Sequence, residues 1–172
     1  GDWLLYLTRT DAGAPEPAPA AGVAEGTYPD LQVDARGDLH LVYARADRVY
    51  YRRYTRADRA WGPEEFTGIA NVPWMARSEP DVVVDSRNRP HVFAGSEYAC
   101  RRASQWTTMS PGGALRDTEL AIDSSDNLYL VHRGGNAGGF LGLRKLARGA
   151  DTWTPLTDPD QPQVGRNNHV YA

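Results

Sequence analysis

Short apolar stretches separated by compact polar turns recur along this chain. The first example begins at residues 29–34 (PDLQVD), turns through 35–38 (ARGD) and resumes as the apolar stretch 39–43 (LHLVY). Apolar runs of this length bounded by Asp, Gly, Asn or Ser are typical of β-strands joined by tight turns. No sustained apolar pattern at helical spacing competes with this interpretation. The pattern therefore predicts two antiparallel strands joined by an Asp-led turn.

The same arrangement occurs twice more in register. The second copy reads PDVVVD, SRNR and PHVF over residues 80–93, and the third reads TELAID, SSDN and LYLV over residues 118–131. The leading turn residues Asp34, Asp85 and Asp123 are 51 and 38 residues apart. These spacings bracket the ~40–50 residues of four-stranded propeller repeats. The Asp side chain suits the turn because its carboxylate can accept hydrogen bonds from backbone N–H groups that follow it.

Each copy continues with a third strand, a polar turn and a tryptophan that predicts the start of a fourth strand. The third strands are expected at residues 48–54, 97–102 and 142–147, and the tryptophans are Trp61, Trp106 and Trp153. The pattern predicts an all-β chain of three four-stranded antiparallel propeller blades. We place these blades at residues 28–68, 78–110 and 116–158.

The remaining segments predict a partial propeller, treated as one domain over residues 1–172. Residues 1–10 are expected to form an edge strand of a preceding blade, 11–27 a Pro/Ala-rich loop, and 164–172 the start of a next blade. Three blades cannot close a ring, since propellers use about four to eight. We expect a fragment of a larger, seven-bladed propeller whose unpaired blade edges favour self-association. Two alternatives are a pair of copies that meet, and a fourth blade completed by residues 3–10 beside the C-terminal strand.

Composition narrows the partners and the chemistry. The formal net charge of −3 favours neither nucleic acid nor an anionic membrane surface, and no apolar run approaches the ~20 residues of a membrane-spanning helix. Arginine supplies 18 of the 19 basic residues, and its planar fork suits carboxylates, sulfates and phosphates. Cys100 is the single cysteine, and the four histidines have no metal-ligand spacing. We expect no cofactor and no metal.

The repeated Asp-turn-strand pattern and the trailing tryptophan resemble the neuraminidase-repeat propellers, a group that includes sialidases and several polysaccharide lyases. The resemblance covers about residues 28–157. At residues 55–61 the sequence TRADRAW stands where the sialidase Asp-box has Ser/Thr-x-Asp-x-Gly-x-Thr-Trp, so the Gly and the Asp-to-Trp spacing differ. Residues 167–169 (NNH) are similar to the blade entry of some propeller lyases. The resemblance implies a secreted or periplasmic location and a glycan or polysaccharide ligand, whereas a similarity to NHL-type propellers implies a binding platform.

The repeat separates architectural residues from candidate site residues. Positions that recur in every copy are expected to be architectural: the turn aspartates, and the ring residues His40, His91 and Tyr129 that open each second strand. Polar or aromatic residues that occur once, in the blade-entry loops or the loops between strands two and three, are better candidates for ligand contact. The predicted ligand-binding residues are Trp74, Arg77, Arg116, Arg133, Asn136 and Asn168, and the candidate general bases are His132 and His169.

Two functional hypotheses follow. The first is a carbohydrate-binding or carbohydrate-processing propeller in which this chain by itself is not catalytic. A lyase needs an Arg or Asn to neutralise the uronate and a His or Tyr to remove the adjacent proton. The second is a non-catalytic scaffold for protein–protein interaction. Acid and base groups that converge at one end of the blades favour the first hypothesis, and an uncharged surface favours the second.

Overall fold

The computed structural model describes residues 23–70, 72, 79–113, 115–134 and 140–156, together with residues 3–4, 10–11 and 14–15. Every regular element within these ranges is a β-strand. The strands are β1 Trp3–Leu4, β2 Thr10–Asp11, β3 Ala14–Pro15, β4 Glu25–Val33, β5 Leu39–Arg45, β6 Arg48–Thr55, β7 Ala60–Trp61, β8 Glu65–Ala70, β9 Asp81–Val84, β10 Pro90–Ala94, β11 Glu97–Arg102, β12 Gln105–Met109, β13 Leu115–Ile122, β14 Leu128–Gly134, β15 Phe140–Leu146 and β16 Thr154–Pro155.

Three antiparallel meanders form the body of the molecule. The first sheet has the order β1-β4-β5-β6-β7, with β8 also paired to β6. The second sheet runs β9 to β12 and the third runs β13 to β16, each in sequence order. Consecutive strands that pair in order are the arrangement expected of propeller blades. The all-β prediction and the three antiparallel sheets are confirmed, and the described sheets do not themselves close a ring.

The outer strand of the first sheet differs from the prediction. It was expected to run on from Trp61, but Trp61 ends the two-residue strand β7, and the longer strand β8 begins only at Glu65. Gly62 and Pro63 lie between them, and proline has no backbone N–H for the strand ladder. In the second sheet Trp106 is the second residue of β12, as predicted, and in the third Trp153 directly precedes β16.

The N-terminal segment also differs in detail. Trp3 and Leu4 pair with Gly26 and Glu25, so β1 extends the first sheet beside β4. The short β2–β3 hairpin spans the boundary between the expected edge strand and the expected loop, and β4 begins at Glu25, within that loop. The predicted start of a next blade at 164–172 lies outside the described residues.

Each Asp-led turn is built in the same way, as the repeat predicts. One oxygen (Oδ1) of the leading Asp accepts hydrogen bonds of 2.8–2.9 Å from the backbone N–H groups two and four residues later. The residue three positions after the Asp has a left-handed backbone in all three turns. These residues are Gly37, Asn88 and Asp126, with φ of 82°, 59° and 64°.

The second carboxylate oxygen of each turn Asp faces the ring that opens the next strand. Oδ2 lies 3.3 Å from Nε2 of His40 in the first sheet and 3.4 Å from Nε2 of His91 in the second. In the third sheet the hydroxyl of Tyr129 donates to Oδ2 of Asp123 over 3.0 Å. His40 and His91 are both buried. The recurring Asp and ring residues therefore form an architectural pair, and their prediction as such is confirmed.

Neighbouring sheets stack through one repeated aromatic contact and one repeated backbone contact. The Tyr51 ring lies 5.3 Å from Trp106 in the next sheet, and Tyr98 lies 5.6 Å from Trp153 in the sheet after that. The Asp30 carboxylate accepts from the Val82 N–H over 2.8 Å, and Asp81 accepts from the Leu120 N–H. Edge-to-face aromatic pairs add about 0.5–1.5 kcal/mol to the area they bury. The sheets are thus fixed to one another at equivalent points.

Candidate functional site

Three of the predicted site residues lie in the described part of the chain, all in the third sheet. They are Arg116 on β13 and His132 and Arg133 on β14. These residues lie at the loop end of the strands, which we define as the end opposite the Asp-led turns. The predicted residues Trp74, Arg77, Asn136, Asn168 and His169 lie outside the described residues.

The structure places Arg116 and Arg133 directly opposite each other. They are register partners on β13 and β14, next to a β-bulge that separates Arg116 from Glu119. Directly opposed residues of an antiparallel pair share one face of the sheet, with Cβ atoms about 4.5–5.5 Å apart. The two arginine side chains therefore project from the same face of the sheet at the loop end.

The first sheet contains the same bulge with different residues. There the shift lies between Thr27 and Asp30, and Thr27 is paired with Ala44. The residue inside each bulge has a left-handed backbone, with φ of 52° at Tyr28 and 46° at Asp117. The bulge therefore recurs, whereas the arginine pair beside it is specific to the third sheet.

The positive charges of Arg116 and Arg133 are only partly balanced by acidic side chains. Nε of Arg133 lies 2.8 Å from Oδ2 of Asp117, in an ion pair whose side chains are 43% and 37% exposed. The Arg116 side chain is exposed and makes no ion pair or hydrogen bond with another described residue. Like charges placed directly opposite in a sheet are destabilising. An anion that binds both guanidinium groups removes this cost.

His132 points away from the arginine pair. It is adjacent to Arg133 on β14, and neighbouring residues of a strand point to opposite faces. Its ring lies against Gly142, where an added Cβ would come within 2.4 Å of the imidazole. His132 is only 8% exposed, and its Nδ1 has no hydrogen-bond partner among the described residues. The structure therefore does not bring His132 together with Arg116 and Arg133.

Arg144 is a supporting residue that the sequence analysis did not identify. Its Nε donates to Nε2 of His132 over 3.4 Å, and its Nη1 donates to the carbonyl of Pro111. Burial, followed by the positive charge of Arg144, lowers the pKa of His132. This lowering favours the neutral imidazole, and Arg144 connects it to the segment that leads into β13. Gly142 in a strand interior was the available signal of this close approach.

A second set of acidic side chains lies on the first strand of each sheet. Asp30, Asp81 and Glu119 occupy equivalent positions in the three copies. Burial raises the pKa of Asp81 to about 7; the negative charges of Glu119 and Asp30 act in the same direction, and the hydrogen bond from the Leu120 N–H opposes them. Since Asp30 and Asp81 each accept from the backbone of the next sheet, we assign them to the joints between sheets.

No protein-family model matches the chain, and no curated protein matches it. Solved structures do match. One is described as a new family of polysaccharide lyase PL25, an ulvan lyase, bound to -[GlcA(1-4)Rha3S]-. The superposition has a TM-score of 0.62 at 14% sequence identity and covers 73% of this chain and 36% of that one. That lyase has a propeller-type fold, and the three antiparallel sheets of this chain are consistent with part of a propeller. This chain spans about a third of the length of that lyase.

Two kinds of feature are absent from the described residues. No group of three or more His, Cys, Asp or Glu side chains there is arranged to hold a metal ion. No helix in the same part of the chain is long and apolar enough to cross a membrane.

Proposed function

We propose that the loop end of the third sheet binds the carboxylate of an acidic saccharide through Arg116 and Arg133. The observation that carries this proposal is the cross-strand pair of arginines at a position that Thr27 and Ala44 fill in the first sheet. Paired guanidinium forks match the geometry of a carboxylate, and such charge-assisted contacts are about twice as strong as neutral hydrogen bonds.

Two further points support an acidic sugar as the ligand. The similar solved structure is a polysaccharide lyase bound to a saccharide that contains GlcA, a uronic acid. The neuraminidase-repeat resemblance, which stays a prediction, implies a glycan ligand as well. Four further residues remain proposed contributors to ligand binding at the same end of the blades: Trp74, Arg77, Asn136 and Asn168. A larger, seven-bladed propeller also remains a proposal.

The proposal assigns binding to this site and no catalytic step. His132 faces the second sheet and is held by Arg144, so it is not placed to remove a proton from a sugar bound at Arg116 and Arg133. A role for His169 as general base remains a prediction.

A second candidate function, a platform for protein contacts, is favoured by one observation. The face of the third sheet that points away from the second sheet exposes apolar side chains, with Val131 40% and Leu141 47% exposed. A further blade or a protein partner could cover this face. Titration with an acidic and a neutral oligosaccharide discriminates the two candidate functions, because an apolar platform has no preference for a uronic acid.

The test is to replace Arg116 by threonine, the residue found at the equivalent position of the first sheet. Isothermal titration calorimetry with oligouronates, with a neutral oligosaccharide of the same length for comparison, should show binding of the acidic oligomer alone. We expect Arg116→Thr to weaken that binding about ten- to a hundred-fold, since hydrogen bonds to charged groups contribute ≈ 1.5–3 kcal/mol. The melting temperature should not fall, because the Arg116 side chain is exposed, has no ion pair among the described residues and lies opposite another arginine.

Arg48→Thr is the matched control. Arg48 is also exposed, with 56% of its side chain accessible, and it lies in the first sheet. The variant loses the same charge and should bind the oligouronate normally. Equal loss of affinity in both variants would show that the effect depends only on net charge. Undiminished binding by Arg116→Thr would contradict the proposal.

A further inference from the structure

A cleft opens between the second and third sheets at the turn end, the end that carries the Asp-led turns. Its volume is about 370 Å³, within the range of small-molecule sites. Four arginines line it, Arg87, Arg89, Arg102 and Arg148, together with the apolar side chains Leu128 and Leu146. We call it the arginine cleft. It lies at the opposite end of the strands from Arg116 and Arg133.

The positive charge of the arginine cleft is only half compensated. Arg89 is bound to Asp85, with Nε at 2.6 Å and Nη2 at 2.5 Å from Oδ2. Arg148 lies 3.5 Å from Oδ2 of Asp126. Arg87 and Arg102 are exposed, and neither guanidinium group has an ion pair or hydrogen bond with another described residue. The cleft thus presents two guanidinium groups with no acid assigned to them.

The equivalent junction between the first and second sheets shows how the cleft arises. There the fourth residue after the turn Asp is Asp38, and its carboxylate is paired with Nη2 of Arg53 over 2.6 Å. In the next copy these two positions are occupied by Arg89 and Cys100. Arg53 and Cys100 are equivalent because each is the cross-strand partner of the recurring histidine, His40 in the first sheet and His91 in the second. The exchange replaces an acid by a base and a long side chain by a short one. The local charge therefore changes from zero for the Asp38–Arg53 pair to positive for Arg89 beside a thiol, and no long side chain occupies the position of Arg53.

The inner wall of the cleft is fixed by buried groups. Nδ1 of His91 and the hydroxyl of Tyr98 are 2.5 Å apart, and the free thiol of Cys100 is buried beside them. All three line the cleft. On the opposite wall Asp126 accepts from both the backbone N–H and the hydroxyl of Ser86, so its carboxylate is held in place by the preceding sheet. The cleft is thus a preformed space between two rigid walls.

We propose that the arginine cleft binds a small molecule through a phosphate or sulfate group. Guanidinium groups bind such oxyanions bidentately and keep their charge at every physiological pH. The apolar floor of Leu128 and Leu146 accommodates the organic part of an ester. This inference is independent of the proposed saccharide site, because no residue is shared between the two.

The test uses calorimetric titration with inorganic phosphate and inorganic sulfate, and then with a phosphomonoester and a sulfated monosaccharide. The variant is the double substitution Arg87→Ser and Arg102→Thr, which installs the residues found at equivalent positions of the third and first copies, Ser125 and Thr55. Both arginines are exposed and unpaired among the described residues, so the variant should retain the wild-type melting temperature. We expect saturable binding by the wild type and an affinity at least ten-fold weaker in the double variant. The better of the two inorganic ions identifies the ester class.

Arg36→Ser is the matched control, because Arg36 occupies the same turn position as Arg87 at the junction where Asp38 and Arg53 are paired. This control should bind phosphate and sulfate as the wild type does, and so should Arg116→Thr. The proposal is overturned if the wild type binds neither anion saturably, if the double variant binds normally, or if Arg36→Ser loses as much affinity as the double variant.

Discussion

Replacing Asp85 by alanine is expected to destabilise the chain by about 3–5 kcal/mol. Its carboxylate accepts from the N–H groups of Arg87 and Arg89, binds the Arg89 guanidinium and lies 3.4 Å from His91. The side chain is 1% exposed, and removing one partner of a buried ion pair typically costs that amount. Domains of this kind are stable by only about 5–15 kcal/mol, so the loss is a large share of the total.

Urea denaturation at pH 7 measures this effect, and Asp58→Ala is the control because Asp58 is an exposed turn residue. Burial tends to raise the pKa of Asp85, but His91, Arg89 and the two backbone N–H groups together hold it well below the usual range. A depressed folded-state pKa stabilises the fold above about pH 4, and this contribution is lost as the pH falls. The wild type should therefore approach the variant at strongly acidic pH. A loss below about 1 kcal/mol at pH 7 would show that Asp85 is not an architectural residue.

The contribution of Asp81 to stability is expected to have the opposite pH dependence. Its pKa is raised to about 7, first by burial and then by the charges of Glu119 and Asp30. A raised carboxyl pKa stabilises the fold fully below the unfolded value near 4, and this stabilisation is lost as the pH rises through about 7. Asp81→Asn mimics the protonated form and keeps an oxygen for the Leu120 N–H. At pH 8 we expect the variant to be more stable than the wild type by a few kcal/mol, since one pKa unit corresponds to about 1.4 kcal/mol.

Denaturation at pH 5 and at pH 8 separates this effect from a general change of stability. The difference between the two pH values should be smaller in Asp81→Asn than in the wild type. Asp47→Asn is the control, because Asp47 is 57% exposed, and its pH dependence should match that of the wild type. A variant that is less stable at pH 8 would mean that the Asp81 carboxylate is required in its charged form.

The internal repeat allowed the architecture to be predicted from the sequence. Asp34, Asp85 and Asp123 recur because their carboxylates close the same turn, and the ring that follows each one recurs because it is the second partner of that carboxylate. Position in the repeat therefore separated these residues from ligand candidates. The outer strand of the first sheet was less predictable, because Gly62 and Pro63 interrupt it directly after Trp61.

The candidate sites could be predicted only in part from the sequence. Arg116 and Arg133 were selected as residues that occur once, but their direct opposition depends on the register beside a bulge, which hydrophobic alternation does not determine. Arg144 was missed because it lies within a predicted strand. The arginine cleft was missed because the turn end was regarded as architectural throughout. Its signal was nevertheless present, in the change from Asp38 and Arg53 to Arg89 and Cys100 at equivalent positions.

The measurement that tests the central claim most directly is hydrogen–deuterium exchange with and without an unsulfated oligouronate. The claim is that the loop end of the third sheet binds the ligand while the Asp-led turns maintain the fold. We predict slower exchange at residues 115–117 and 131–134 on binding, and unchanged exchange at residues 34–38, 85–89 and 123–127. Protection of the Asp-led turns with no change at Arg116 and Arg133 would contradict this division of the molecule.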